Sequence, residues 1–265
     1  MSAAATPAGA AGLSPEEVLR FGEDPQARFA ENLAHLEARI STACARAGRA
    51  REEVRLLPVS KTVPAHVLRL AHAAGLRAFA ENRIQEAVGK RELLGDLDVD
   101  WSIVGHLQTN KTKPLALFAR ELHALDSLRL AEALDRRLEE QGRDLDVFVQ
   151  VNVSGEESKF GLSPGELPDF LDQLDRFPRL RPRGLMTLAL FSADLAKVRP
   201  CFVRLRELGE AARRGRPGLT ELSMGMSGDF EEAVAEGATV IRVGQAIFGR
   251  RPTPDARYWP GFAET

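Results

Sequence analysis

The sequence predicts an α/β protein: a single (β/α)8 TIM barrel with an extra helix on its N-terminal side. Eight short apolar runs alternate with helix-like segments from Arg55 to Val243, the pattern of βα repeats that close on themselves. The chain has 265 residues, which suits one barrel of about 250 residues or two smaller domains. No Gly-x-Gly-x-x-Gly follows any predicted strand, and this weakens the competing open, doubly wound sheet.

The elements follow in order. Met1 to Leu13 is rich in Ala and Gly and lacks the basic and apolar regions of a signal peptide, so it reads as a disordered tail. Ser14-Pro15-Glu16-Glu17 is a capping box with proline at the first helical position, and it opens a short helix. Asp24-Pro25 opens a longer one, with Phe29, Leu33, Leu36, Ile40 and Cys44 at helical spacing and Gly48 as the stop. The repeats begin with strand Arg55–Lys61 and helix Pro64–Ala74, then strand Arg77–Asn82 and helix Ile84–Leu94. Strand Trp101–His106 precedes helix Lys113–Ala119, and strand Leu122–Asp126 precedes helix Leu128–Gln141. Strand Asp146–Val153 leads to helix Pro164–Arg176, and strand Arg183–Leu190 to helix Leu195–Arg214. Strand Thr220–Met226, helix Phe230–Glu236 and strand Thr239–Val243 complete the series, with no clear helix after the last strand. The expected division is a disordered or weakly helical tail (1–24), the barrel (25–250) and a C-terminal tail (251–265).

Composition narrows the function classes. The chain is 44% hydrophobic and 28% charged, ordinary for a globular protein. Its net charge of -2 is spread without a basic stripe, so nothing points to nucleic acid. No run is apolar and long enough for a bilayer, and the expectation is a cytoplasmic protein. Cys44 and Cys201 lie in separate helical patterns and read as buried free thiols. The five histidines are scattered, so no metal site is expected.

Lys61 carries the first chemical signal. Among 36 basic residues only Lys61, Lys90, Lys111, Lys113, Lys159 and Lys197 are lysines. Lys61 closes the run Leu56-Leu57-Pro58-Val59-Ser60. A lysine partly desolvated at a strand end favours the neutral amine that forms Schiff bases, a reaction closed to arginine. The competing reading is a solvated lysine opening a loop.

The carboxyl ends of barrel strands carry active sites, and phosphate often sits after strands seven and eight. Strand seven runs into Ser223-Met224-Gly225-Met226-Ser227-Gly228-Asp229, small residues whose N–H groups attract an anion. Alternatively, Ser227 or Asp229 caps the next helix. Strand eight places Gly244 and Gln245 at its end and Arg242 within its apolar run. A buried guanidinium needs a partner, either a barrel carboxylate or a ring nitrogen or phosphate. Asn82 ends strand two, and polar clusters follow strands three and five. An imine lysine, two phosphate-type loops and a strand arginine together suit pyridoxal 5'-phosphate.

Beyond these chemical grounds, the chain closely resembles the pyridoxal phosphate homeostasis protein family, also described as YggS/PROSC-like proteins. The matching stretches are Val59-Ser60-Lys61-Thr62, Glu81-Asn82, Gly105-His106-Leu107-Gln108-Thr109-Asn110-Lys111, Arg183-Gly184-Leu185-Met186-Thr187, Leu222 to Ser227 and Ile241 to Gly249. The resemblance implies a barrel like the N-terminal domain of alanine racemases, with the cofactor in Schiff-base linkage to Lys61. It implies that Ser227, Gly244 and Gln245 hold the phosphate, that Arg242 faces the pyridine nitrogen, and that Asn82 and Met224 line the ring. Ala80 stands where the family pattern has glycine, and Arg83 where it has an aromatic residue.

Two functions compete: a protein that stores pyridoxal phosphate and delivers it to apoenzymes without catalysis, and a pyridoxal-phosphate-dependent amino-acid racemase. The resembled racemases take a tyrosine from a second domain, whereas the one tyrosine here, Tyr258, lies in the C-terminal tail. A guanidinium at the ring nitrogen also makes the ring a weaker electron sink, which favours the carrier. A Schiff-base aldolase would explain Lys61 but leaves Arg242 without a role. The carrier is expected to be a monomer or weak homodimer with no catalytic residues.

Overall fold

A computed structural model describes residues 12–156 and 158–250. The N-terminal tail before Gly12, the C-terminal tail 251–265 and Tyr258 lie outside the described residues. The eight strands are β1 (Arg55–Pro58), β2 (Ala78–Glu81), β3 (Asp100–Ile103), β4 (Glu121–Leu125), β5 (Leu145–Gln150), β6 (Leu180–Met186), β7 (Glu221–Ser223) and β8 (Val240–Val243). All pair in parallel, in the order β1-β8-β7-β6-β5-β4-β3-β2. The single bridge Val59–Ala80, supported by Ser60 N–H on the Ala80 carbonyl at 2.9 Å, joins the two ends into a barrel.

The helices are α1 (Pro15–Phe21), α2 (Pro25–Arg46), α3 (Ala65–Ala73), α4 (Ile84–Leu93), α5 (Thr112–Ala116), α6 (Leu128–Gln141), α7 (Leu167–Leu174), α8 (Leu195–Gly215), α9 (Phe230–Ala235) and α10 (Gln245–Phe248). Ser14 and Glu17 form the expected capping box on α1, and Asp24 accepts the Ala27 N–H to start α2. Most strands end one to four residues before the apolar run does, because the chain leaves the ladder there to form the loops of the site. Helix α5 starts from a 3-10 turn at Thr109–Lys111 and ends at Ala116, short of Ala119. A one-turn helix, α10, follows β8, so Gln245 is its first residue.

Aromatic packing fixes the helices outside the barrel. Phe29 of α2 stands edge-on to Phe21 of α1 at 6.2 Å and to Phe248 of α10 at 5.5 Å. Phe248 reaches Phe79 of β2, which packs on Trp101 of β3. Edge-to-face pairs of this kind add to the burial of the rings themselves. Asn32 Nδ2 donates to the Ile247 carbonyl at 2.8 Å. Helix α2 thereby clamps the turn after β8 against the barrel. Cys44 and Cys201 are buried free thiols. Among the described residues no helix is long and apolar enough to cross a membrane, and no His, Cys, Asp or Glu cluster is arranged to hold a metal ion.

Candidate functional site

Lys61 lies three residues beyond β1, in a turn whose two flanks are pinned. On one side Ser60 is buried: its hydroxyl donates to Glu81 Oε1 at 2.6 Å and its carbonyl accepts from Lys90 Nζ at 2.8 Å. On the other side Thr62 has φ 63°, a left-handed conformation that is costly for a β-branched residue. Three hydrogen bonds hold it. Its N–H donates to Glu86 Oε1 at 2.8 Å, while Arg20 of α1 donates to its carbonyl at 2.7 Å and its hydroxyl at 3.1 Å. Lys90 Nζ also reaches Glu81 and Glu86, each at 2.6 Å. Burial pushes the Glu81 carboxyl up to about 7 despite Lys90, and its Oε2 has no hydrogen-bond partner among the described residues.

The loops after β7 and β8 meet at Ser227. Its hydroxyl oxygen accepts from Gly244 N–H at 3.3 Å and Ala246 N–H at 3.4 Å. Of the two residues expected to cap α9, Asp229 stands at its N-cap but makes no side-chain bond into the helix. Ser227 turns to the β8 loop, and Asp229 accepts backward from Met226 N–H at 2.5 Å. Gly244 is required by close approach, since a Cβ there would lie 2.8 Å from the Val59 carbonyl oxygen. Val59 N–H donates to the Val243 carbonyl at 2.8 Å. The Lys61 turn and the Ser227–Gly244 cradle are therefore built on adjacent, directly bonded strands.

Arg242 is buried in β8 and is held at two nitrogens: Nη1 donates to Ser223 Oγ and Nη2 to the Thr187 carbonyl, each at 2.8 Å. Neither acceptor is a carboxylate, so the alternative of an internal ion pair with a barrel acid is not what the geometry shows. Burial lowers the Arg242 pKa to about 10, with Asp229 opposing the shift, and the group stays charged at neutral pH. Burial also raises the Asp229 carboxyl.

Asn82 follows β2 directly, one strand over from Lys61. Its carbonyl oxygen would lie 2.3 Å from a Cβ at Gly105, so the start of the Gly105-His106 loop is pressed against it. Met224 is fully buried just past β7, its N–H on the Val240 carbonyl at 3.1 Å. Gln245 adjoins the cradle as the first residue of α10. Register and loop contact group Lys61, Asn82, Ser227, Gly244 and Gln245 at one end of the barrel, with Arg242 and Met224 just below. Sequence reasoning missed Ser223 and the Thr187 carbonyl as the anchors of Arg242. It also missed His123, whose ring meets Ser223 Oγ at 2.8 Å and Glu121 at 2.9 Å. One signal was available: Glu121 and His123 alternate within β4, which places two ionisable groups on one strand face.

Residues 32–252 match the family model "Alanine racemase, N-terminal domain". The chain is 46% identical to the pyridoxal phosphate homeostasis protein of Pseudomonas aeruginosa over 84% of this chain and 96% of that protein. It is 42% identical to the protein of that name from Aquifex aeolicus, covering 83% and 97%. Among solved structures, PipY of Synechococcus elongatus with PLP bound superposes with a TM-score of 0.74 at 39% identity, covering 83% of this chain and 100% of that one. An alanine racemase from Clostridium difficile shares the fold at 14% identity and a TM-score of 0.65, covering 86% of this chain and 57% of the racemase. With a barrel and strand-end loops of this design and relatives this similar over most of its length, the chain belongs to the pyridoxal phosphate homeostasis protein family.

Proposed function

We propose that this chain binds pyridoxal 5'-phosphate, holds it on Lys61 and releases it to apoenzymes that need it, without robust catalysis of its own. One observation carries the reading. Two backbone N–H groups and a serine hydroxyl converge where β7 and β8 open, and the neighbouring strand leads to the pinned Lys61 turn. The residues fit the group. Converging N–H and O–H donors suit a phosphate, and Gly244 lets the loop that carries one of them lie close against β1. Arg242 offers a permanent donor to the pyridine nitrogen.

When bound, the cofactor supplies an aldehyde for the lysine amine and a ring that withdraws electrons. The protein's own contribution follows from its residues. Ser60 and Thr62 fix the path of the Lys61 backbone. Ser227, Gly244 and Gln245 anchor the phosphate. Arg242 cannot give up its proton readily, so it keeps the ring nitrogen unprotonated and the ring a weak electron sink. Asn82 and Met224 complete the walls, and a site built this way favours retention over turnover. We further place the protein in the cytoplasm as a monomer or weak homodimer.

The test begins with a spectrum of the protein titrated with pyridoxal phosphate. A visible band should appear, disappear on borohydride reduction and leave the label on the Lys61 peptide. Lys61→Ala should lack the band while keeping its fold. The loaded protein should restore activity to an apo pyridoxal-phosphate enzyme and should not exchange the α-proton of L-amino acids in deuterated water at enzyme-like rates. Rapid exchange without transfer would overturn the carrier reading in favour of a racemase.

A further inference from the structure

A chain of buried polar groups crosses the barrel interior beneath Arg242. Barrel interiors are usually filled by layers of branched apolar side chains. Here Arg242, Ser223, His123 and Glu121 are all buried and bonded in series. The distances are 2.8 Å from Arg242 Nη1 to Ser223 Oγ, 2.8 Å from Ser223 Oγ to His123 Nδ1, and 2.9 Å from His123 Nε2 to Glu121 Oε2. Arg55 Nη2 closes the far end at 2.9 Å from Glu121 Oε1, and Ser102 Oγ donates to Glu121 at 3.2 Å.

Donor counting, with a neutral His123 and an ionised Glu121, orients the protons in this series. Arginine only donates, so Ser223 Oγ accepts from Arg242. Ser223 Oγ keeps a second lone pair, so its bond to His123 is set from the other end: an ionised Glu121 only accepts, and a neutral His123 that donates to it has a bare Nδ1 to accept the Ser223 proton. The ring proton of His123 is therefore on Nε2, and it donates to the Glu121 carboxylate. The surroundings set both states. Burial, with Arg242 and Arg55 nearby, lowers His123 to about 4 against the pull of Glu121. Burial works to raise Glu121, but the His123 hydrogen bond and Arg55 outweigh it and hold the carboxyl at about 2. A neutral ring and an ionised acid are the states from which the series is oriented. The ring plane is fixed as well, because His123 stacks on Phe148 at 4.0 Å.

We propose that His123 is a positioning residue for the cofactor: through Ser223 it locks the Arg242 guanidinium in the one plane that donates to the pyridine nitrogen. This rests on the reading of Arg242 given under the proposed function. Without His123 the Ser223 hydroxyl loses the acceptor that fixes its proton, and its oxygen is free to turn away from Arg242. The guanidinium then keeps only the Thr187 carbonyl and can swing about it.

The test compares pyridoxal phosphate with the analogue in which C–H replaces the ring nitrogen. Dissociation constants for both are measured on the wild-type protein, His123→Phe and Ser223→Ala. Phenylalanine keeps the stack on Phe148 and removes both ring hydrogen bonds. The wild type should prefer pyridoxal phosphate by about tenfold or more, the range for a hydrogen bond with a charged donor. Both variants should bind pyridoxal phosphate more weakly, with the preference reduced to about threefold or less. If the wild type does not distinguish the two ligands, Arg242 does not serve the ring nitrogen, and the parent reading falls with this one. If the wild type discriminates and the variants discriminate equally well, only the role of His123 is overturned. Should His123→Phe fail to fold, Ser223→Ala carries the same expectation, since it deletes one hydroxyl and leaves the stacked ring in place.

Discussion

At Ser227 one hydroxyl oxygen gathers the amides of Gly244 and Ala246 from another strand's loop. An anion in that place would take over the two N–H groups and receive the hydroxyl proton. Ser227→Ala should therefore weaken pyridoxal phosphate by about tenfold, the value of one hydrogen bond to a charged group. Pyridoxal, which lacks the phosphate, should be nearly unaffected. Equal losses for both ligands, measured by fluorescence titration, would remove Ser227 from the phosphate site. This residue was readable in the sequence because its signal is local: small residues directly after a strand and directly before a helix. The positions of Lys61, Gly244 and Gln245 at strand ends were readable for a similarly local reason, the end of an apolar run. His123 was not, because its partner Ser223 lies 100 positions away, and only the closed sheet brings β4 and β7 face to face.

Among the elements, α1 has a role that its seven residues would not suggest. Phe21 anchors it against Phe29, Glu17 meets His66 of α3 at 3.1 Å, and Arg20 holds the strained Thr62 beside Lys61. An αL threonine costs about 1–2 kcal/mol, and Arg20 supplies part of what offsets it. Arg20→Ala should leave the barrel folded but loosen the Lys61 turn, raising the release rate of bound pyridoxal phosphate roughly tenfold. Stopped-flow trapping of released cofactor by an apoenzyme would measure it, and an unchanged rate would show that α1 only packs. The capping box predicted this helix correctly, but its contact with the turn at Thr62 was not legible. Arg20 and Thr62 are 42 positions apart, and no spacing rule links a surface helix to a strand-end turn. The strand ends were overrun for a related reason: apolar side chains continue past the last ladder bond, as at Val59, where only a single bridge remains.

At the scale of the whole molecule, buried ionisable groups set opposing responses to pH. Glu81 has a pKa raised from 4.5 to about 7, so the native state binds its proton more tightly than the unfolded chain. Its contribution to stability is present below pH 4.5 and is lost as pH rises toward 7. His123 is lowered from 6.5 to about 4. Its contribution is present above pH 6.5 and is lost as pH falls toward 4. Between these limits the two slopes oppose each other. Glu81→Gln removes one of them. Its unfolding free energy should then rise with pH more steeply than that of the wild type between about pH 4.5 and 7, by up to about 1.4 kcal/mol per pH unit. Urea denaturation across that range would show it, and parallel curves would mean that Glu81 is ionised throughout. The barrel's closure has a different consequence. Strands β5 and β6 are paired along their length, whereas β1 and β2 meet at one bridge. A ring breathes first at its thinnest joints, and this seam is one of them. In deuterated water the Ser60 amide, which bonds across that seam, should exchange well before the Val149 amide in β5. Because Lys61 and Asn82 flank the seam, an opening there would part these two residues while the rest of the ring stays shut.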